Sequence, residues 1–263
     1  FERSGDDASL ARTLGLLAGL VHREGDVARA QDLDERALAI YRRIGDLSRV
    51  AGTLNRLGHY AVHREELARA RTIYQECLDV ARRLDLPHAI AATLANLGTV
   101  EASQGEDERA IALFEEAISV GRETGHRRNI AIALAGVSQP YLRLRRLVRA
   151  REALLECLDH VLELELRGVG VYALEVTAQL AMEIDRTRES LQLLGAADAI
   201  REALPLPRTP AANRSLAVVV ASRPGTMASS AAEELRRSGR SLTLAESAAL
   251  ARRVLDALSD ESV

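Results

Sequence analysis

Lysine is missing from this chain of 263 residues, so all 35 of its basic side chains are arginine. A phosphate-binding loop with its lysine is excluded, and so is a Schiff-base lysine. Tryptophan is missing too, and aromatic residues make up only 3%. That scarcity suits thin helical layers packed through Ala and Leu better than one thick core. Cysteine occurs twice, at Cys77 and Cys157. Two equivalent positions two repeats apart lie roughly 20 Å from each other when helices pack at 8–10 Å. A disulfide needs Cα atoms within about 7 Å, so these thiols are expected to stay unpaired small core fillers in a reducing cytosol. No apolar run is long enough to span a bilayer, and no stretch reads as a signal peptide. The expected location is the cytoplasm, with no membrane contact. Charge of one sign is also scarce: the net charge is -3, which favours neither nucleic acid nor an acidic membrane surface.

What the chain does have is a period. Leu94-Ala95-Asn96-Leu97-Gly98 has a counterpart forty residues earlier in Leu54-Asn55-Arg56-Leu57-Gly58, and another in Leu14-Gly15-Leu16-Leu17-Ala18. Forty residues later stand Leu134-Ala135-Gly136-Val137-Ser138, then Leu174-Glu175-Val176-Thr177-Ala178. Ala30, Ala70, Ala110, Ala150 and Ser190 form a second column, and Ala37, Cys77, Ala117, Cys157 and Ala197 a third. A fixed period of this size means stacked repeats.

Each repeat holds two helical patterns. Ala11, Leu14, Leu17, Ala18 and Val21 make one apolar face; Ala30, Leu33, Ala37, Leu38 and Tyr41 make the next. Gly25-Asp26 and Gly45-Asp46 punctuate them, the Gly free to take positive φ and the Asp placed to cap the following helix. The expected repeats are about 7–46, 47–86, 87–126, 127–166 and 167–206, a solenoid over 10–206. Phe1 to Asp6 aligns with Tyr41 to Asp46, so 1–9 reads as the tail of a preceding repeat. Glu65-Glu66, Arg145-Arg146 and Asp185-Arg186 replace Gly-Asp at three turns, and Pro140 is expected to kink its helix. Residues 207–263 read as a helical C-terminal cap. After a rigid connector over Leu204–Pro210, helices are expected over Ala211–Ser222, Met227–Ser238 and Leu244–Leu258, the last opened by a capping box at Thr243-Leu244-Ala245-Glu246.

These residues resemble the tetratricopeptide repeat. The likeness rests on the paired small residues, the Leu-Gly step, the Gly-Asp turn and the second-helix aromatics Tyr74 and Phe114. Asp34 departs from it, standing where those aromatics stand. The period of forty is longer than the family's common unit, as in its variants with a longer second helix. The resemblance implies an all-α, right-handed superhelix of about five helix pairs. A narrower likeness covers Leu191 to Arg201 and Gly239 to Ala248. These look like the C-terminal repeat region of large bacterial regulators that couple a signal-transduction ATPase to such an array, often with a LuxR-type domain.

By that resemblance the first helix of each unit lines a concave groove. The carried-over lining is Arg12, His22 and Arg23; Asn55, His59 and His63; Thr99 and Ser103; Gln139 and Arg143; and Glu175, Gln179 and Glu183. It runs from cationic to anionic, which suits orienting an extended peptide or a partner's helix. The same residues also read as the solvated faces of amphipathic helices. His59 and His63 share a face but lack a third ligand, so no metal is expected. Arg143, Arg145, Arg146, Arg149 and Arg151 form a basic run that reads either as a seat for phosphates or an acidic partner, or as a solvated turn. No nucleophile–base pair or paired carboxylate stands out. The expectation is therefore a non-catalytic interaction and sensing domain with no cofactor. It would take a protein or peptide partner in the groove, have an ATPase domain upstream in the full-length chain, and make no direct contact with nucleic acid. The alternative is a free-standing cytoplasmic peptide receptor or adaptor.

Overall fold

The computed structural model describes residues 2–204 and 229–258. Every regular element among them is an α-helix. The order is α1 (Glu2–Arg23), α2 (Val27–Ile44), α3 (Leu47–His63), α4 (Leu67–Arg83), α5 (Pro87–Gln104), α6 (Asp107–Thr124), α7 (Arg127–Arg143), α8 (Leu147–Glu163), α9 (Arg167–Glu183), α10 (Thr187–Ala203), α11 (Ser229–Arg240) and α12 (Leu244–Ala257). The first ten make five consecutive pairs. From α2 to α10 the helices start at residues 27, 47, 67 and so on to 187, so helix and turn together take twenty residues each time.

One turn geometry explains that regularity. After every helix from α1 to α9 a backbone N–H bonds to the carbonyl five residues back, as in Asp26 to Val21 (3.2 Å), Glu66 to Ala61 (2.9 Å) and Arg146 to Tyr141 (2.8 Å). The residue before each such donor sits at positive φ, the left-handed step of a Schellman closure. Gly supplies it at Gly25, Gly45, Gly105 and Gly125; Glu65, Asp85, Arg145, Glu165 and Asp185 supply it elsewhere. Losing the Gly therefore does not change the turn. At the other end, α1 runs unbroken through Gly5-Asp6, which does not make the turn its counterpart Gly45-Asp46 makes. α7 likewise continues through the buried Pro140 to Arg143.

Glycine sets the spacing between helices. A Cβ on Gly58 would enter the Tyr74 ring, and one on Gly98 would lie 2.9 Å from Phe114; Gly136 of the next unit also meets Phe114. Each aromatic is thus seated where a glycine leaves room. First helices of neighbouring units approach one another (α3 with α5, α5 with α7, α7 with α9) more closely than second helices do. The first helices therefore form the inner wall of the curve and the second helices the splayed outer side. Long Arg–Glu pairs bridge that outer side: Arg42–Glu76, Arg82–Glu116 (2.7 Å) and Arg122–Glu156 (2.7 Å).

At the C-terminal end α11 lies on α10 at backbone contact. A Cβ on Gly195 would strike the Arg236 carbonyl, and one on Gly239 the Gln192 carbonyl. α12 packs on α8, α9 and α10 through buried Leu250, Ala251, Val254 and Leu255. Its capping box is present: the Glu246 N–H donates to Thr243 Oγ1 (3.2 Å) and the Thr243 N–H to Glu246 Oε2 (2.8 Å). The helix expected over 211–222, the connector residues 205–210, and Met227 with Ala228 lie outside the described residues.

Candidate functional site

The inner wall holds most of the expected lining, but the two ends differ in kind. On α1, Arg12 and Arg23 are exposed and His22 is half-buried, its ring centroid 5.1 Å from that of Tyr60. On α3, His59 stands edge-on to Tyr74 at 6.1 Å, and His63 follows one turn later, exposed. Asn55 accepts from the Asn96 amide of α5 at 2.7 Å. Further along, Thr99 and Ser103 turn their hydroxyls onto their own helix, donating to Ala95 O (3.0 Å) and Thr99 O (2.8 Å). Gln139 donates to Gln179 at 3.0 Å, a rung between α7 and α9.

The anionic end of the expected gradient is not free. Glu175 is buried at 8% exposure and takes Arg201 Nη2 on both carboxylate oxygens at 2.9 Å. Its column holds Ala95 and Ala135 in the preceding units, so it points into the α9–α10 interior, where an unpaired carboxylate would be costly. Glu183 pairs with Arg145. Arg143 leaves the groove as well, forking onto Asp107 and reaching the Ala102 carbonyl at 2.9 Å. The basic run is consumed by such links: Arg146 meets Glu108, Arg149 meets Glu152 (3.6 Å), and Arg151 Nε donates to the Leu255 carbonyl (2.8 Å).

That leaves a cationic patch in the first two units, built by α1 and α3. Burial lowers the His59 pKa, and the nearby His63 and His22 lower it further; burial and then His22 lower that of His63. Among the described residues no group of three His, Cys, Asp or Glu is arranged to hold a metal ion. His59 is exposed and still desolvated, as expected of a side chain on the inside of a curve.

A buried ion pair under this patch was not anticipated. Asp34, fully buried, accepts Arg56 Nε (2.9 Å) and Nη2 (2.6 Å) and the Tyr60 hydroxyl (3.1 Å). The bond to Asp34 raises the Arg56 pKa, and burial first, then Asp34, pushes Tyr60 up to about 12. The signal was in the columns. Arg56 occupies the column of Gly136 and Asp34 that of Phe114, so Asp34 meets Arg56 at the same sequence separation at which Phe114 meets Gly136. The first joint replaces aromatic plus glycine by Asp plus Arg. The two cysteines are free and buried, Cys77 donating to Ala51 O (3.3 Å) and Cys157 to Ala131 O (3.5 Å). Burial pushes both thiols up, that of Cys157 to about 12, which makes them poor nucleophiles. An open cleft of about 490 Å³ lies off the inner wall, bounded by Arg71, Gln75, Glu101 and Arg109. No described helix is long and apolar enough to cross a membrane.

Comparison with known proteins agrees with this geometry. Residues 49–123 match the tetratricopeptide repeat model. No curated protein matches the chain. Among solved structures the chain is similar to BtubC (BKLC) from P. vanneervenii: 18% identity, TM-score 0.58, 77% of this chain and 84% of that one. It is also similar to a putative kinesin light chain with nearly identical tetratricopeptide-like repeats from Podospora anserina: 14%, TM-score 0.54, 76% and 99%. A third is a signal transduction ATPase with numerous domains, carrying a tetratricopeptide repeat sensor, from Pyrococcus horikoshii: 15%, TM-score 0.57. That match covers 97% of this chain and 38% of the other. The architecture is an all-α solenoid of the tetratricopeptide repeat type.

Proposed function

We propose that this chain is a non-catalytic interaction and sensing domain of a larger ATPase-type regulator, and that it takes a peptide, protein or small effector along its inner wall. The observation that carries this reading is the inner wall itself: α1 and α3 present His22, His59, His63, Arg12 and Arg23, whose side chains make no hydrogen bond or salt bridge among the described residues. The Pyrococcus ATPase supports the regulator part, since the likeness runs through α11 and α12 as well as the repeats.

The outer face of α1 supports a longer stack. Leu10, Thr13, Leu17 and Leu20 are exposed, Leu10 and Leu20 at 50%. Their counterparts Val50, Thr53, Leu57 and Tyr60 are all buried, where α3 packs on α2. We read the α1 face as one that a further repeat covers.

The test is selection of binding peptides from an unbiased display library on the purified protein. Binding that falls at least tenfold in H59A/H63A, with helicity unchanged, supports the inner wall. Binders indifferent to those residues reject it. The regulator part is tested separately, by whether such binders change ATP hydrolysis by the full-length gene product. A stand-alone adaptor is the second reading, favoured by the 99% coverage of the kinesin-light-chain-like structure.

A further inference from the structure

Between neighbouring second helices the outer side of the stack forms a groove floored by a first helix. One such groove is filled by the chain itself: α12 packs on α8, α10 and the α9 floor. Two polar anchors on α8 hold it. Arg151 Nε donates to the Leu255 carbonyl (2.8 Å), with Nη2 3.3 Å from Asp256. This is the end of α12 where the helix dipole is negative. Two turns further along α8, Asp159 pairs with Arg252. On α9, Gly170 makes room for Leu244, whose Cδ1 would lie 3.3 Å from a Cβ there.

The groove two units earlier carries the same anchors and is open. Arg71 and Asp79 stand eighty residues before Arg151 and Asp159, and Glu76-Cys77-Leu78-Asp79 repeats as Glu156-Cys157-Leu158-Asp159. The other two grooves lack both anchors: α2 has Gln31 and Ala39 at these places, and α6 has Ile111 and Ser119. The cleft of about 490 Å³ lies in this second anchored groove, between Arg71 and Gln75 of α4, Glu101 of α5, and Arg109, Ala112 and Leu113 of α6. Asp79 is exposed and makes no hydrogen bond or ion pair among the described residues. Arg109 is 70% exposed, with Glu106 3.9 Å away.

Three differences shape what fits. Ile90 stands where Gly170 admits Leu244. The Arg82–Glu116 rung (2.7 Å) crosses the groove where α8 and α10 have Leu162 and Ala196. The first turn of an α12-like helix is therefore shut out. The open length runs from Asp79 to Arg71, about 12 Å for eight helical residues. Glu101, in place of Ala181, takes Arg71 Nε and Nη2 at 2.7 Å each and leaves Nη1 unbonded. Arg71 and Arg109 together favour a negative helix end beside them.

We propose that the outer groove between α4 and α6 is a docking seat for a short amphipathic helix of a partner protein, laid as the last three turns of α12 are laid between α8 and α10. The buried face of that helix is Ala and Leu. An Arg in its middle meets Asp79, and a carboxylate one turn later meets Arg71 and Arg109. The seat lies on the other side of the stack from the inner wall and does not depend on it.

The probe is a fluorescein-labelled peptide of residues 247–258. A lactam across the exposed positions 249 and 253 holds it helical, because a helix this short is marginal in water. Its affinity is read by anisotropy for the wild type, D79R and R29Q, with helicity checked in each. Arg29 occupies the Arg109 column in a groove without the anchors. The expected result is saturable binding that weakens at least tenfold in D79R, returns when the peptide carries R252D, and is unchanged in R29Q. No saturable binding, binding indifferent to D79R, or a loss that the R252D peptide does not rescue overturns the seat. Should D79R unfold, hydrogen exchange on the wild type decides. Slowing within 71–79 and 109–113 supports the seat; slowing confined to 151–159 means that the peptide displaces α12, and rejects it. If the wild type dimerises and D79R alone abolishes the dimer, the occupant is α12 of a second copy and the partner claim falls.

Discussion

Asp34 shows how much one residue can depend on its column. In the second and third units that position holds Tyr74 and Phe114, each seated on a glycine; in the fourth it holds Leu154, with Ser138 and Val176 at the matching places. Asp34 works because Arg56 fills the volume and carries the counter-charge. Breaking such a buried pair costs about 3–5 kcal/mol, whereas replacing both partners by well-packed apolar groups is often neutral. The Arg56 side chain is 39% exposed and can reach water once unpaired, which discounts that figure, so Asp34→Ala is expected to lose about 2–3 kcal/mol in urea unfolding. D34L/R56V, which copies the fourth joint, is expected to regain most of that, less about 1 kcal/mol for the Tyr60 hydroxyl left without its acceptor. A double variant no better than the single would show that the columns are not interchangeable. The departure of Asp34 from the repeat was legible in the sequence; its partner was not, because the two lie on different helices and neither matches the repeat alone.

The histidines carry a pH prediction at the same scale. Their pKa values are lowered on folding from the ordinary 6.5, chiefly by burial. A depressed imidazole favours the folded chain while it is neutral. That contribution is full above the unfolded pKa and is lost as pH falls below it. The urea midpoint is expected to drop between pH 7.5 and 5, with a shallower drop in H59Q/H63Q. His160, also lowered by burial, leaves a residual slope. Equal slopes in the two proteins would contradict the cluster.

Among the elements, helix positions were the most legible, because spacing of Ala and Leu fixes a face whatever the polar residues do. The turns were legible where Gly-Asp marked them and, through the period, at Glu65-Glu66, Arg145-Arg146 and Asp185-Arg186. Glu165, at φ +50° and exposed, makes the same left-handed step without Gly. That conformation costs a non-Gly residue about 1–2 kcal/mol. Glu165→Gly, offset by added freedom in the unfolded chain, is expected to raise stability by about 0.5–1 kcal/mol. A lower melting temperature would mean the turn is held by something other than backbone geometry. Of the C-terminal helices, α11 and α12 were legible as helices, but the glycines that dock α11 on α10 were not legible as contacts. Gly195 and Gly239 each face a carbonyl that cannot move aside. Gly195→Ala is expected to free α11, seen as new proteolytic cleavage within 229–240 while the repeats stay resistant; an unchanged digest would contradict that contact.

At the scale of the whole molecule, the inner side is drawn together by small residues and the outer side bridged by arginines. The three outer rungs recur once per repeat, each joining one second helix to the next, a pattern visible in the sequence only once the helix pairing is known. Their side chains are about half exposed, and such pairs contribute about 0–1 kcal/mol each. R42Q/R82Q/R122Q should therefore lose less than about 3 kcal/mol, and the loss should shrink in 1 M salt, where charges are screened within about 3 Å. A larger, salt-independent loss would mean that these arginines pack rather than bridge. The groove was legible as a polar wall because any inward column of a helix stack reads that way. The pairing that removes its anionic end was not, since Glu175, Glu183 and Arg143 look free until Arg201, Arg145 and Asp107 are placed beside them.

The account stands or falls on which side of the stack receives a partner. Hydrogen exchange measured by mass spectrometry, with and without a library-selected peptide, reads that directly. Slowed exchange is expected in segments 12–23 and 52–63, with little change in 27–44, 67–83 and 229–257. Protection confined to those outer and C-terminal helices would contradict it.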